Sequence, residues 1–323
     1  MRLVFARIDK LIYLLGIGLF VFILKSIDFG YYLRLFSQIK VIYVVGAILL
    51  AFPIMMIRAY RWQVVLKKMG IDYSFKNSFL VYLSSIYIGS FTPARLGEFS
   101  KVYYLKTDGH AVVPGLVSVF FDRLADLGFL ILVGLASLFY FTPYLGGKDI
   151  IFFLAGAIII LFFLTVFIYN KKIYKDLLKK IFFRLTPKKY HENLNLYLSD
   201  MVGKFRQFKS EDYLKIILLT LFSWALSFLM AFWVFEAINL GSLGFVYAII
   251  VLSLSMLISL IPVSIYGIGT RDALVIFLFA LKGIDAERAI MFSMLLLLAL
   301  IATTVFGFIA WILKPIRIKD IGN

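Results

Sequence analysis

Apolar residues in this chain run in blocks of about twenty, each long enough for a helix to cross a hydrocarbon layer of roughly 30 Å. Six blocks meet that length: residues 8–25, 41–60, 112–141, 150–170, 213–239 and 287–313. Two further apolar regions, 78–106 and 246–283, are interrupted. The first is cut at Thr92-Pro93 and then carries Arg95, Glu98 and Lys101; the second is cut by Pro262 and by Gly267-Ile268-Gly269, ahead of Arg271 and Asp272. An apolar half, a break and a shorter second helix predict a helical hairpin in each region. The expected fold is an all-α polytopic membrane protein with six full transmembrane helices plus two broken re-entrant hairpins. It forms a single transmembrane domain over residues 1–323.

The two hairpins share a spacing. Leu83-Ser84, Ser90 and Pro93 in the first, and Leu252-Ser253, Ser259 and Pro262 in the second, both read L-S-x5-S-x-x-P. Beyond the break, Glu98 stands eleven residues before Gly109 and Asp272 eleven before Gly283. Each hairpin is flanked by two full spans, within blocks of about 41–141 and 213–313. Interrupted helices in corresponding positions of two inverted halves are a sequence-level pointer to the midplane site of a transporter.

Charge sets the expected orientation. Basic residues mark cytoplasmic connections. The N-terminus, the 58–76 connection (Arg58, Arg61, Lys67, Lys68, Lys76), the 171–212 segment and the tail (Lys314, Arg317, Lys319) are basic. The 142–149 and 240–245 connections are short and nearly uncharged, and should lie outside. The 25–40 connection, with Lys25, Arg34 and Lys40, fits this pattern least well. Hairpin 78–106 is then expected to enter from the cytoplasmic side and hairpin 246–283 from the opposite side, with both termini cytoplasmic in the cell membrane. Within 171–212, Ile173, Leu177, Ile181 and Leu185 recur between lysines and arginines, as in an amphipathic helix lying in the lipid interface. The N-terminal run, basic and then apolar without a small-residue cleavage site, reads as an uncleaved first span.

Composition agrees with a membrane chain: 63% of residues are hydrophobic, only 16% are charged, and mean hydropathy is +0.97. The net charge of +16 is then explained by the cytoplasmic membrane surface rather than by nucleic acid. Cysteine is absent, which excludes disulfides, thiol catalysis and cysteine metal sites. The two histidines, His110 and His191, fall in expected loops, so neither a histidine zinc site nor a Ser-His-Asp triad is expected. No cofactor is expected.

The candidate chemistry gathers at the breaks. Thr92 suits an N-cap and Pro93 the first helical position, so the helix from about Pro93 to Leu105 points its N-terminus into the membrane. Thr270 takes the same capping part for a helix from about Arg271 to Leu281. Helix N-termini attract anions such as phosphate, and Gly267 and Gly269 let backbone approach a head group. Ionisable residues inside a bilayer are costly and normally face a cavity or pair with one another. The expected polar site joins Thr92, Arg95, Glu98, Lys101, Asp122, Arg123, Asp126, Gly267, Gly269, Thr270, Arg271 and Asp272. Asp122 and Asp126 share one helix face, with Arg123 one turn from Asp126. Arginine suits phosphate because its planar fork donates two hydrogen bonds and stays charged. The alternative reading of these charges is an ion-pair network that holds the hairpins against neighbouring helices.

Three signatures, Thr92-Pro93-Ala94-Arg95-Leu96-Gly97-Glu98, Phe121-Asp122-Arg123-Leu124-Ala125-Asp126-Leu127 and Ile261-Pro262 through Gly267-Ile268-Gly269-Thr270-Arg271-Asp272, resemble the flippase-like membrane domain family. It is also called the lysylphosphatidylglycerol synthase transmembrane-region family. Where the family often has Glu-Arg-Leu-Ala-Asp and Arg-Glu, this chain has Asp122 and Asp272, which keep the charge and shorten the reach. The resemblance implies a membrane domain like that of the multiple peptide resistance factor, which moves aminoacylated phosphatidylglycerol between leaflets. In bifunctional relatives a separate soluble domain makes the lipid, and about ten residues follow the last span here, so synthase activity is not carried over.

The function expected on these grounds is a lipid transporter for an anionic phospholipid or a polyprenyl-phosphate lipid. Two alternatives stand beside it. One is a membrane-embedded transferase acting on a lipid phosphate, with Glu98 or Asp126 as base. The other is a non-catalytic subunit of a separate synthase or glycosyltransferase; a homo-oligomer is a further possibility.

Overall fold

The computed structural model describes residues 18–23, 25, 27–90, 92–140, 208–260, 264 and 267–315. The expected spans 150–170 and most of 8–25, the interfacial segment 171–207, Pro262 and His191 lie outside these residues. The chain divides into two compact units: residues 1–134 with 214–323, and residues 135–213. The first unit carries both broken hairpins and the charged residues beside them. Of the second, the described residues are the helix ends at 135–140 and 210–213, and Phe208-Lys209 before them.

Every regular element among the described residues is helical. In chain order they are α1 (Phe29–Ser37), α2 (Val41–Lys68), α3 (Phe75–Ser90), a 3-10 segment (Pro93–Phe99), α4 (Ser100–Thr107), α5 (Val112–Tyr140) and α6 (Ser210–Ala237). A 3-10 turn (Gly241–Leu243), α7 (Phe245–Ile258), α8 (Thr270–Ala280) and α9 (Ala286–Leu313) follow. Three of them, α2, α6 and α9, are by length and composition able to cross a membrane. Each has 28 residues, about 42 Å of helix at roughly 1.5 Å per residue. The 29 residues of α5 match that length, but Asp122, Arg123 and Asp126 interrupt its apolar run.

Both interrupted regions are helix, break, helix. The serines of the shared spacing do the same work in each. Buried Ser84 and Ser253 donate to the carbonyls four residues back, Leu80 at 2.7 Å and Ile249 at 2.6 Å. Ser90 and Ser259 likewise donate to Tyr87 O and Ser255 O at the ends of α3 and α7. Side-chain hydroxyls that bond back into their own helix bury a polar atom at little cost and bend the helix. The order of elements also recurs: α2, α3, break, short helix, α5 in one block, and α6, α7, break, short helix, α9 in the other.

Two sequence expectations about helix ends change. The span expected over 41–60 continues to Lys68, because Ala59, Trp62, Val65 and Leu66 keep the buried stripe going past the charges. Arg58 and Arg61 therefore belong to a helix and not to a surface connection, while Lys67, Lys68 and Lys76 remain outside the core. The 25–40 connection contains α1, started by Asp28, whose carboxylate accepts from Tyr31 N at 3.0 Å. Its Phe29, Leu33 and Phe36 are exposed along one side, the pattern of a helix lying in an interface. It is tied to the start of α9 by Asp28 N donating to Glu287 Oε1 at 3.0 Å.

α2 and α6 run antiparallel. Lys40 N donates to Ala237 O at one end, Gly46 lies against the Trp233 ring, and Tyr60 accepts from Lys215 Nζ at 2.8 Å toward the other end. Phe235 of α6 meets Tyr247, Phe279 and Phe292, so aromatic rings lock α6, α7, α8 and α9 together.

At the basic end, Tyr73 sits between α2 and α3. Its hydroxyl donates to Asp108, and Lys314 Nζ reaches Asp108 Oδ2 at 2.6 Å and Tyr73 Oη at 2.9 Å. Burial first, and then the hydrogen bond to the Asp108 carboxylate, push the Tyr73 phenol above its ordinary value of 10. A folded phenol that holds its proton more tightly than the unfolded one gives stability that is complete below about pH 10 and lost as pH rises beyond it. Tyr73→Phe should remove that alkaline loss, read as the thermal unfolding midpoint in detergent between about pH 8 and about pH 11. Equal alkaline slopes for wild type and variant would contradict the assignment.

Candidate functional site

The first break sets the geometry. Thr92 precedes the 3-10 segment, and its hydroxyl donates to Gly89 O at 3.0 Å while accepting from Gly97 N at 2.7 Å. The short segment that results, which also carries Arg95 in its backbone, brings Glu98 and Lys101 back toward α2 and α5. Pro93 stands at its first positions, as expected, although the first turns are 3-10 before α4 becomes α-helical.

There the charges assemble, and their centre is a residue that the sequence pattern places in a loop. Arg61 is fully buried. Its Nε donates to Asp122 Oδ1 at 2.9 Å, Nη1 to Asp126 Oδ1 and Thr220 Oγ1 at 2.9 Å each, and Nη2 to Asp126 Oδ2 at 2.7 Å. The expected common face of Asp122 and Asp126 is thus the face that a single guanidinium forks onto. Lys101, also fully buried, lies 3.5 Å from Asp122 Oδ2 and 4.0 Å from Glu98 Oε2. Its ammonium stands over the Tyr82 ring at 3.8 Å and the Trp62 ring at 5.2 Å, a cation–π contact on two sides. Glu98 also pairs with Arg123. Trp62 is fixed in turn by its indole N–H, which donates to Ser118 Oγ at 3.0 Å.

The network is closed at its centre and open at one edge. Asp122 and Glu98 are 1% and 2% exposed, whereas the Asp126 and Arg123 side chains reach 14% and 32%. Beside Asp126, Trp224 donates its indole N–H to Asp126 Oδ1 at 3.1 Å and carries the Arg58 guanidinium over its ring at 5.2 Å. Arg58 and Arg123 both stand close enough to Asp126 to act on it electrostatically.

The second break holds a smaller pair. Arg271 donates from Nε at 3.1 Å and Nη2 at 2.9 Å to Asp272 Oδ1, and both side chains are buried. Asp272 Oδ2 also accepts from Gly269 N at 2.9 Å. The cap of α8 is therefore Gly269, with Asp272 satisfying its N–H, and Thr270 is the first helical residue rather than the cap. Thr270 Oγ1 instead pairs with Ser264 Oγ at 2.7 Å. Gly267 takes φ +75° and Gly269 φ +85°, and a Cβ on Gly267 would run into Ser259 Oγ. The glycines thus serve the turn itself, folding the break back onto the end of α7.

Of the expected site residues, Glu98, Lys101, Asp122, Arg123 and Asp126 come together around Arg61, and Arg271 with Asp272 makes a separate pair. Arg58, Arg61, Trp62, Tyr82, Thr220 and Trp224 are additions that the sequence pattern does not single out. A signal exists for three of them: Arg58, Arg61 and Trp62 stand at i, i+3 and i+4, one face of a continuing helix. No group of three or more acids or histidines suited to a metal ion occurs among the described residues.

Apolar helices of membrane-spanning length around a buried charge network define a polytopic helical membrane protein. The chain belongs to the family described as the lysylphosphatidylglycerol synthase TM region, whose model matches residues 9–313. It is 24% identical to UPF0104 membrane protein PH1989 of Pyrococcus horikoshii, over 88% of this chain and 90% of that protein. It is 26% identical to UPF0104 membrane protein MJ1078 of Methanocaldococcus jannaschii, over 67% and 88%. A second protein of that organism, UPF0104 membrane protein MJ1595, is 27% identical over 84% of each chain. No solved structure matches the chain.

Proposed function

We propose that this protein moves an anionic, phosphate-bearing lipid head group between membrane leaflets, with the acyl chains remaining in lipid. The observation that carries this reading is the buried network of Arg61, Lys101 and Arg123 with Glu98, Asp122 and Asp126, built beside a broken helix. Charges within apolar helices are rare and, where paired as these are, commonly mark a substrate or ion pathway, which supports a polar passage here. Arg61 lies seven residues before the basic end of α2, about 10 Å along the helix axis, so the network sits below the surface rather than at it.

In this reading the chain has six full spans and two re-entrant hairpins, arranged as inverted repeats over about 41–141 and 213–313. Helices α3 and α7, of 16 and 14 residues, extend about 24 and 21 Å, short of a roughly 30 Å hydrocarbon core. That length favours helices that enter and turn back. Both termini and the basic 171–212 segment face the cytoplasm of the cell membrane. The family's description makes lysylphosphatidylglycerol, whose anionic phosphodiester sits beside a cationic lysyl ester, the first substrate to try, ahead of anionic phospholipids and polyprenyl-phosphate lipids.

The test is reconstitution of purified protein into liposomes carrying head-group-labelled lipids, with leaflet accessibility followed over time. Translocation of one or more phosphate-bearing lipids above protein-free liposomes is expected. No movement of any of them, by protein that remains folded, would end the proposal.

A further inference from the structure

Side chains from three elements meet at the basic end of the molecule. Tyr73 stands two residues before α3, Asp108 caps the end of α4, and Lys314 caps the end of α9. Helices α3 and α4 are the two arms of the first broken hairpin, so the bond from Tyr73 to Asp108 joins the roots of both arms across 35 residues. Lys314 Nζ ties that pair to α9, at 2.6 Å from Asp108 Oδ2 and 2.9 Å from Tyr73 Oη, and lies over the Tyr73 ring at 5.2 Å. Tyr73 is itself held in place. Gln63 Nε2 donates to its carbonyl at 2.8 Å, and its buried ring meets Trp62 and His110 edge-on. Trp62 is also one of the two rings that carry the Lys101 ammonium, so a single aromatic contact separates this cluster from the buried charges.

The contacts that hold α4 differ in how easily they part. Near the break, Lys101 is fully buried against Asp122, Tyr82 and Trp62. At mid-helix, Leu105 is fully buried, its Cδ1 2.9 Å from where a Cβ on Gly115 of α5 would lie. At the root, the Asp108 and Lys314 side chains are 28% and 22% exposed, and ion pairs that water reaches contribute little. The arm therefore comes loose first at its root. Asp108 is also poorly placed for α4 itself, because a carboxylate at a helix C-terminus faces the negative end of the dipole. Lys314, at the C-terminus of α9, suits its own helix whether or not it holds Asp108. The cluster thus restrains α4 and is not needed by α9.

We propose that Lys314 is a latch: bonded to Asp108 and Tyr73 it keeps the α4 arm closed at its root, and its release frees α4 to carry Lys101 away from Asp122. The open state is a minor one, since Lys101 must also leave its buried partner, and the latch sets how minor. It is a property of the fold and does not depend on what the network binds.

The chain has no cysteine, so one introduced thiol reports alone. Ser100→Cys places it in the first turn of α4, beside Lys101, where the side chain is buried. Purified protein in detergent is labelled with a maleimide. On that background Lys314→Met and Asp108→Asn should each speed labelling by about twofold to fivefold, the range of a weak ion pair. Lys67→Met, which removes an exposed charge at the same end, should leave the rate unchanged. Because Asp108→Asn relieves the end of α4, faster labelling there is not the mark of a weakened helix. A thiol at buried Ser293 of α9, far from the root, reads global loosening and should not respond. Where the Ser100→Cys chain does not fold, hydrogen exchange of the α4 amides in wild type and Lys314→Met measures the same opening. Unchanged rates in folded Lys314→Met and Asp108→Asn overturn the latch, as does an equal rise in Lys67→Met or at Ser293→Cys. None of these readings involves a lipid. Failure of every lipid to move in liposomes removes the transport reading and leaves the latch, while transport by a protein whose labelling ignores Lys314 removes the latch alone.

Discussion

Asp122→Ala should be among the most destabilising single substitutions in this protein, at about 3–5 kcal/mol, the usual cost of taking one partner from a buried ion pair. Asp122 alone is shared by two fully buried cations: it accepts from Arg61 Nε at 2.9 Å and stands 3.5 Å from Lys101 Nζ. Without it, Lys101 keeps Glu98 at 4.0 Å and two aromatic faces as the interactions described for its charge. Lys101→Met is a useful comparison because it removes the other member of the same pair. There Asp122 remains bonded to Arg61, and methionine fills most of the volume between Tyr82 and Trp62, so the loss should be well under half as large. Asp126→Ala should also cost less than Asp122→Ala, since its side chain is partly exposed and Arg61 retains Asp122. Thermal and denaturant unfolding in detergent reads all three. An Asp122→Ala variant no less stable than Lys101→Met would mean that the network does not hang on that carboxylate.

The spread of these effects follows from how the network is built, and so does its legibility. Hydropathy locates the long helices well: α5, α6 and α9 begin and end within a few residues of the expected 112–141, 213–239 and 287–313, because a long apolar run with helical spacing carries its own ends. Proline and glycine locate both breaks, since they act locally on the backbone. The i, i+4 spacing of Asp122 and Asp126 puts the two acids on one face, and they do meet one partner. That partner is not legible. Arg61 bonds residues 61, 65 and 159 positions away, and nothing local announces such contacts. Counted among the positive residues of a connection, Arg58 and Arg61 serve to orient the chain, whereas their helical spacing with Trp62 marks a face continuing inward. The second break differs by one residue for a related reason. Thr270 is a good N-cap by type, but φ +85° at Gly269 and the carboxylate of Asp272 place the cap one position earlier.

Gly307→Ala should be the second large loss, and its counterpart Gly134→Ala should be nearly silent. At position 307 a new Cβ would lie 2.5 Å from Leu83 O, 2.9 Å from Tyr87 Cβ and 3.1 Å from Tyr87 N, so α9 rests directly on the backbone of α3. Carbonyls and amides inside a helix cannot turn aside. The two helices must separate, and in lipid, where packing rather than water exclusion joins helices, separation forfeits most of the contact. Tyr87 also packs on Phe308 at 5.2 Å and Trp311 at 5.8 Å, and these contacts would open with it. The expected cost is about 2–4 kcal/mol, at the upper part of the overpacking range, against a gain of at most about 1 kcal/mol from helix propensity. At position 134 the new Cβ meets a terminal methyl of Leu257, with the next atom 3.6 Å away. A leucine tip can rotate, so the propensity gain should roughly cancel the strain there. The pair is informative because α5 leans on α7 through Gly134 as α9 leans on α3 through Gly307: the last helix of each block supports the first arm of the other block's hairpin. Equal unfolding midpoints for the two variants would show that α9 does not clamp α3. A selective fall for Gly307→Ala, accompanied by loss of lipid movement in liposomes at temperatures where the variant is still folded, would mean that the α3 arm must be held against α9 for the charge network to work.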